Sequence, residues 1–251
     1  MLPQKILILR FSAMGDVVLL VPVLRSFLAT YPEVEVTVAT RPKFASFFKE
    51  LKGVNVFAAD VDTTYKGLNG LYRLFKELHK QKFELVIDEH DHLRTKVLRT
   101  FFFLGGVAVR TFKKGRSEKK KITRTENKIL TQLPHTVERY HQAFAQAGYE
   151  FKLTTGPHLQ PNTENIKNVQ GWLSAQQLSK KEKWIGIAPF AMHKSKIWPV
   201  ENYQPLLHEL LSKNTYRFFL FGGGKKEVDF FNTLKEAFPH QVTVVAVVLK
   251  L

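Results

Sequence analysis

The chain contains no cysteine. That absence excludes disulfides, thiolate metal sites and thiol nucleophiles, and it fits a reducing cytoplasm. Long apolar runs are also missing: the stretch from Leu2 to Leu9 is interrupted by Lys5 and followed by Arg10, too short for a membrane span. The N-terminus lacks a signal peptide's apolar core and cleavage site. No Gly-Lys-Ser/Thr follows a glycine-rich loop and no GxGxxG is present, so nucleotide binding at the first loop is not supported. Helix-turn-helix, RRM and OB signatures are absent, and aromatics do not interleave the basic stretch, which argues against a nucleic-acid-binding protein. Acidic residues are scarce relative to basic ones: 22 Asp and Glu face 38 Lys and Arg, a formal net charge of +16. Such an excess attracts a polyanion, whether nucleic acid, a membrane surface or a phosphorylated glycolipid.

The remaining composition is that of a soluble globular protein, with 44% hydrophobic and 24% charged residues. A chain of 251 residues forms one large domain or two small ones. Much of the charge excess is local. Thr111 to Lys128 holds eight basic residues, Lys113, Lys114, Arg116, Lys119, Lys120, Lys121, Arg124 and Lys128, against Glu118 and Glu126. This stretch reads either as a solvated, mobile loop or as an arm that grips an acidic acceptor.

Apolar runs and helical periods alternate along the chain. Ile6 to Leu9 reads as a buried parallel strand, and Gly15 and Asp16 open a helical pattern after a short loop. Val34 to Ala39, Asn55 to Ala58, Phe83 to Ile87 and Val107 to Arg110 read as further strands. Helices are expected over Phe44 to Leu51, Gly67 to Gln81, Arg94 to Leu104 and Thr136 to Ala147. Residues 153–165 are rich in turn formers and read as a linker between domains 1–152 and 166–251. Beyond it, helices are expected at Asn165 to Leu178, Val200 to Leu211 and Lys225 to Phe238. The intervening strands are Trp184 to Ala188, Arg217 to Phe221 and Val242 to Val248. The alternation implies an α/β fold with parallel strands.

In such sheets ligands sit at the carboxyl ends of strands. Asp16 occupies such an end and is the leading candidate for catalysis, with an N-cap as the alternative reading. Ser12, Met14 and Gly15 form its loop, where small residues let backbone N–H groups approach a ligand. His193 to Pro199 follows another strand, and its Lys194, Ser195 and Lys196 suit a diphosphate. Gly222, Gly223 and Gly224 form either a phosphate-cradling loop or a plain turn. Asp88, His90, Asp91 and His92 follow a third strand. They read as metal ligands, as sugar contacts or as a structural polar loop.

Ser12-Ala13-Met14-Gly15-Asp16 and Pro22-Val23-Leu24-Arg25, with the segments Asp88 to Thr95 and Ile185 to Pro199, closely resemble glycosyltransferase family 9, the ADP-heptose:lipopolysaccharide heptosyltransferases. The resemblance implies a GT-B fold of two Rossmann-like domains facing across a cleft. It implies inverting transfer of a heptosyl unit from an ADP-sugar to a lipopolysaccharide core acceptor, with no metal and no cofactor. Asp16 is then the base. Ser12, Met14, Gly15, His90, Arg94 and Lys119 to Lys121 are placed on the acceptor side. Lys194, Ser195, Lys196, Gly222 and Gly223 are placed on the donor phosphates. A nucleotide-sugar donor, an acidic glycolipid acceptor and an anionic membrane surface follow as partners, and a cytoplasmic, peripheral location at the inner membrane face follows with them. The family's later Asp-Ser/Thr-x-x-x-His segment is absent, and Trp184 to Leu251 has room for roughly two βα units and one more strand. A shortened second domain, either still active or retaining only binding, is therefore expected.

Overall fold

The computed structural model describes residues 2–176, 178, 182–191 and 193–245. Two compact units divide the chain, 1–162 and 163–251. In the first, five strands form one parallel sheet: β1 (Lys5–Leu9), β2 (Glu35–Thr40), β3 (Val54–Ala58), β4 (Leu85–Asp88) and β5 (Ala108–Thr111), in the order β3-β2-β1-β4-β5. The central strand explains why the N-terminal apolar run is unbroken. Ile6 and Ile8 pack with Val36, Val38, Leu85 and Ile87 on one face, while Leu7 and Leu9 pack with Ala39 and Val86 on the other. Successive side chains point to opposite faces, and both faces are covered, so every position of the strand must be apolar.

The first face is covered by α2 (Val21–Thr30) and α6 (Thr136–Ala145), the second by α3 (Gly67–His79) and α4 (Leu93–Leu104). Phe27 of α2 is the hub of its side, with ring centroids 4.9 Å from Phe144, 5.1 Å from Tyr149 and 5.5 Å from Phe151. On α3, Leu71, Leu74 and Leu78 recur at helical spacing and are all buried. The first helical segment is interrupted: α1 (Met14–Val18) ends before α2 begins, with Pro22 in the first turn of α2.

Some sequence expectations require correction. Phe44 to Leu51 is not an α-helix. A 3₁₀ helix, Pro42–Phe48, stands there and seats Phe44 and Phe48 in the core. The basic stretch is not loop throughout. It forms α5 (Arg116–Thr123), because Lys and Glu lose little freedom in a helix and the charges suit its dipole, with Glu118 in the first turn and Lys120 and Lys121 in the last. Residues 153 and 154 lie against the first unit. Leu153 packs on its core, and the Thr154 N–H donates to Ser26 Oγ at 2.9 Å.

The second unit holds α7 (Thr163–Ala175), β6 (Lys183–Ile187), α8 (Tyr203–Lys213), β7 (Tyr216–Leu220), α9 (Lys225–Ala237) and β8 (Val242–Val244). Its three described strands are parallel in the order β6-β7-β8. Leu207, Phe218, Leu220, Phe231, Leu234 and Phe238 form its core. Val200 to Asn202 is a 3₁₀ turn rather than the start of α8, as the preceding Pro199 favours. The expected helix from Asn165 to Leu178 starts two residues earlier and ends at Ala175. The expected final strand runs past Val245 into residues outside the described ones.

Candidate functional site

In the first sheet, chain connections run outward from β1 in one direction to β2 and β3 and in the other to β4 and β5. The loops after β1 and β4 therefore part at a topological switch point, where open α/β sheets bind ligands. A cavity of about 300 Å³ lies there, lined by Arg10, Ser12, Ala13, Asp16, His90, Phe112, Lys114, Lys119, Thr136, Arg139 and Tyr140. It draws on the ends of β1, β4 and β5 and on helices α1, α5 and α6.

Asp16 is the one carboxylate among these lining residues. Ala13, not Asp16, is the N-cap of α1; Asp16 sits three residues further on, in the first turn, and accepts the Ala13 N–H at 3.4 Å. Arg10 Nη2 lies 2.6 Å from Asp16 Oδ2, with the Arg10 side chain buried and that of Asp16 45% exposed. The Tyr140 hydroxyl donates to the Asp16 carbonyl at 3.2 Å. Burial of that hydroxyl raises its pKa and keeps it protonated.

His90 closes the wall, its Nε2 3.2 Å from Ser12 Oγ. Burial foremost, then the nearby Arg10 charge, lowers its pKa to about 3, so the ring is neutral at ordinary pH. The neighbouring Asp88 is fully buried and accepts the N–H groups of His90 and Asp91 at 3.0 and 2.9 Å, while Arg99 Nη1 approaches it at 3.1 Å. These bonds shape the turn that presents His90. Asp88, His90, Asp91 and His92 do not converge: Asp91 faces Arg99, Lys96 and Arg116, and His92 stacks on His90. Among the described residues no group of three or more His, Cys, Asp or Glu side chains is placed to hold a metal ion.

The cavity is otherwise cationic. Lys114 donates to the Asp91 carbonyl at 2.7 Å, and burial lowers its pKa. Arg139 is buried, bonded to the carbonyls of Pro134 and Lys113 at 3.2 and 3.1 Å, and its Nη2 has no protein partner. Gly115 makes room for it. Its φ is +61°, and a Cβ there would stand 2.2 Å from Arg139 Nη1.

Of the residues expected on the acceptor side, Ser12, His90 and Lys119 line the cavity with Asp16. Met14 and Gly15 are exposed beside it. Arg94 instead pairs with Asp62 at 3.2 Å, and Lys120 and Lys121 are exposed on α5. Lys114 was expected only as one of the eight basic residues of the 111–128 stretch, and Arg10, Arg139 and Tyr140 were not singled out from the sequence. The one available hint for Arg10 was a charge closing an otherwise buried strand.

In the second unit, Lys194 to Lys196 form an exposed 3₁₀ turn after β6, and Gly222 to Gly224 follow the adjacent β7. The two loops thus share one sheet edge. The Gly223 N–H donates to Glu227 Oε2 at 2.7 Å, so a carboxylate of the chain itself occupies that donor. A Cβ on Gly222 would meet Glu227 Oε2 at 2.6 Å and Phe231 at 2.9 Å, so this glycine is needed for packing.

The family described as glycosyltransferase family 9 (heptosyltransferase) matches residues 71–251. The loop bearing Asp16 lies before the matched segment. A glycosyltransferase family 9 structure from Veillonella parvula DSM 2008 superposes with a TM-score of 0.75 at 18% identity, covering 98% of this chain and 71% of its own. Escherichia coli heptosyltransferase WaaC with ADP gives 0.67 at 19% identity, covering 98% and 75%. E. coli ADP-heptose LPS heptosyltransferase II gives 0.67 at 20%, covering 96% and 72%. At these identities the likeness shows the GT-B-like fold. No curated protein sequence matches the chain.

Proposed function

The chain belongs to glycosyltransferase family 9, and on that premise we propose that it transfers a heptosyl or related sugar from an ADP-sugar to an acidic lipopolysaccharide-core acceptor, with inversion and without a metal. The observation that carries this reading is Asp16, a half-exposed carboxylate on the wall of a cationic cavity at the sheet's switch point. In the proposed step the acceptor hydroxyl attacks the anomeric carbon. Its proton passes to the Asp16 carboxylate, and the bond to the diphosphate breaks with its electron pair leaving on the ADP. Such general-base assistance is worth about 10²- to 10⁴-fold.

The acceptor's negative groups are proposed to meet Lys114, Lys119 and Arg139, with Ser12 and His90 beside them. The donor diphosphate is proposed to meet Lys194, Ser195 and Lys196 in the second unit. Two solved E. coli structures of WaaC hold ADP or ADP-2-deoxy-2-fluoro heptose, which supports an ADP-sugar as donor class. No helix of the described residues is long and apolar enough to cross a membrane. A peripheral place at the cytoplasmic face of the inner membrane, held by α5, is part of the proposal.

The test is transfer from ADP-heptose to a purified lipopolysaccharide-core acceptor by the protein and by Asp16→Asn. Loss of turnover with donor binding retained supports the reading; wild-type turnover in D16N removes Asp16 from the mechanism. A second reading, a family member that binds without turnover, is favoured by the occupied Gly223 N–H. Because that second reading leaves acceptor binding but no donor pocket, calorimetric titration with ADP distinguishes the two: the enzymatic reading expects micromolar binding and the second expects weak binding or none.

A further inference from the structure

Resting on the reading of Asp16 as base, we infer that Arg10 is a positioning residue that fixes the Asp16 carboxylate in its orientation toward the cavity. Asp16 is half exposed and sits on a helix of one and a half turns. The Ala13 N–H also reaches Asp16 Oδ2, but at 3.4 Å it is a long bond and a weak hold on such a side chain. Arg10 is itself held from several sides. Its backbone N–H donates to the Ala39 carbonyl at 3.1 Å, continuing the β1–β2 pairing by one residue. Its Nη1 donates to the Glu89 carbonyl at the end of β4. The guanidinium carbon lies 5.5 Å from the Tyr140 ring centroid and 5.9 Å from that of Phe112. Nη2 is then left to meet Asp16 at 2.6 Å.

The grip is specific to a guanidinium. A planar fork satisfies two acceptors in fixed directions and lies against ring faces, whereas an ammonium is a point charge on a flexible stem. The other acid close to Arg10, Glu89, does not compete for it. Its two carboxyl oxygens are buried without a hydrogen-bond partner, and the bond to residue 89 comes from its main chain. Misplacing a reacting group by about 1 Å costs on the order of 10²-fold in rate.

The experiment combines a spectroscopic and a kinetic arm on the full chain. In nitrogen-15 spectra the Arg10 Hη protons of the wild type should be separately resolved, because bonding at both Nη atoms hinders rotation; in Asp16→Ala they should merge. Merged signals in the wild type overturn the inference. In the kinetic arm Arg10→Met should lower kcat by about 10- to 100-fold with the donor KM within about twofold. Arg10→Lys should recover part of that loss. Wild-type kcat in R10M, or a loss confined to KM, overturns the inference. Asp16→Asn is run alongside: if D16N keeps wild-type turnover, or the wild type turns over no donor, the base reading falls, and the guanidinium spectra alone decide whether Arg10 holds Asp16. If R10M does not fold, the wild-type and D16A spectra, which leave Arg10 in place, decide.

Discussion

At the residue scale, the carboxyl end of β4 places three titratable side chains in succession under very different constraints. Glu89 is fully buried without a partner, and burial, with the neighbouring Asp88 charge, pushes its pKa well above the usual carboxylate value. His90 is driven the other way, from 6.5 to about 3. The two shifts run in opposite directions, and so do their effects on the pH dependence of stability. For His90 the folded pKa is depressed, so its contribution is present above pH 6.5 and is lost as pH falls toward 3. Relative to His90→Gln, the wild type should lose up to about 1.4 kcal/mol per pH unit below that point, measured as urea unfolding at pH 7, 6 and 5. A constant difference across that range would contradict the shift. For Glu89 the folded pKa is raised, so its contribution is complete below 4.5 and is lost as pH rises through the folded value. Glu89→Gln keeps the shape and cannot ionise. It should gain stability over the wild type between pH 5 and pH 8, and a gain that does not grow with pH would show that Glu89 is already ionised.

At the element scale, α5 joins surface charge to the cavity. Gly115 caps it in the left-handed region, with φ of +61°, and its missing Cβ is the space that Arg139 fills. Gly115→Ala meets both constraints at once, so it should destabilise the first unit by more than about 1 kcal/mol in denaturant unfolding. An unchanged midpoint would mean that Arg139 has another place to go. Lys119, Lys120 and Lys121 are all exposed, and Lys119 also lines the cavity. Neutralising all three to Gln should weaken association with vesicles containing anionic lipid, each charge contributing on the order of 1 kcal/mol at low salt. Equal binding by the variant at low and high salt would leave α5 with no part in membrane contact.

At the scale of the whole molecule, each unit has its own core, so residues 2–162 produced alone should unfold in one cooperative urea transition and keep the Arg10–Asp16 pair; a broad, non-cooperative transition would show that the first unit depends on the second. The sequence by itself determined the parallel α/β architecture. Ile6 to Leu9 can only be a strand covered on both faces, and Leu71, Leu74 and Leu78 can only be one face of a helix. It also placed Asp16 at a strand's carboxyl end, because strand and helix periods change within a few residues of it. The family resemblance was read from the motifs around it together with the segments Asp88 to Thr95 and Ile185 to Pro199, and the family match itself spans residues 71–251. Local patterns could not say that residues 116–123 fold into a helix, since a run of like charges describes a solvated loop equally well. They could not distinguish an N-cap from a carboxylate three positions further along, since that depends on the backbone conformation at Ala13. Arg10, Lys114 and Arg139 reach Asp16's cavity from the end of β1, the loop after β5 and α6. Only the tertiary structure decided that meeting, because it is made by the order of strands across the sheet, and no local sequence period carries information about contacts between residues more than a hundred positions apart.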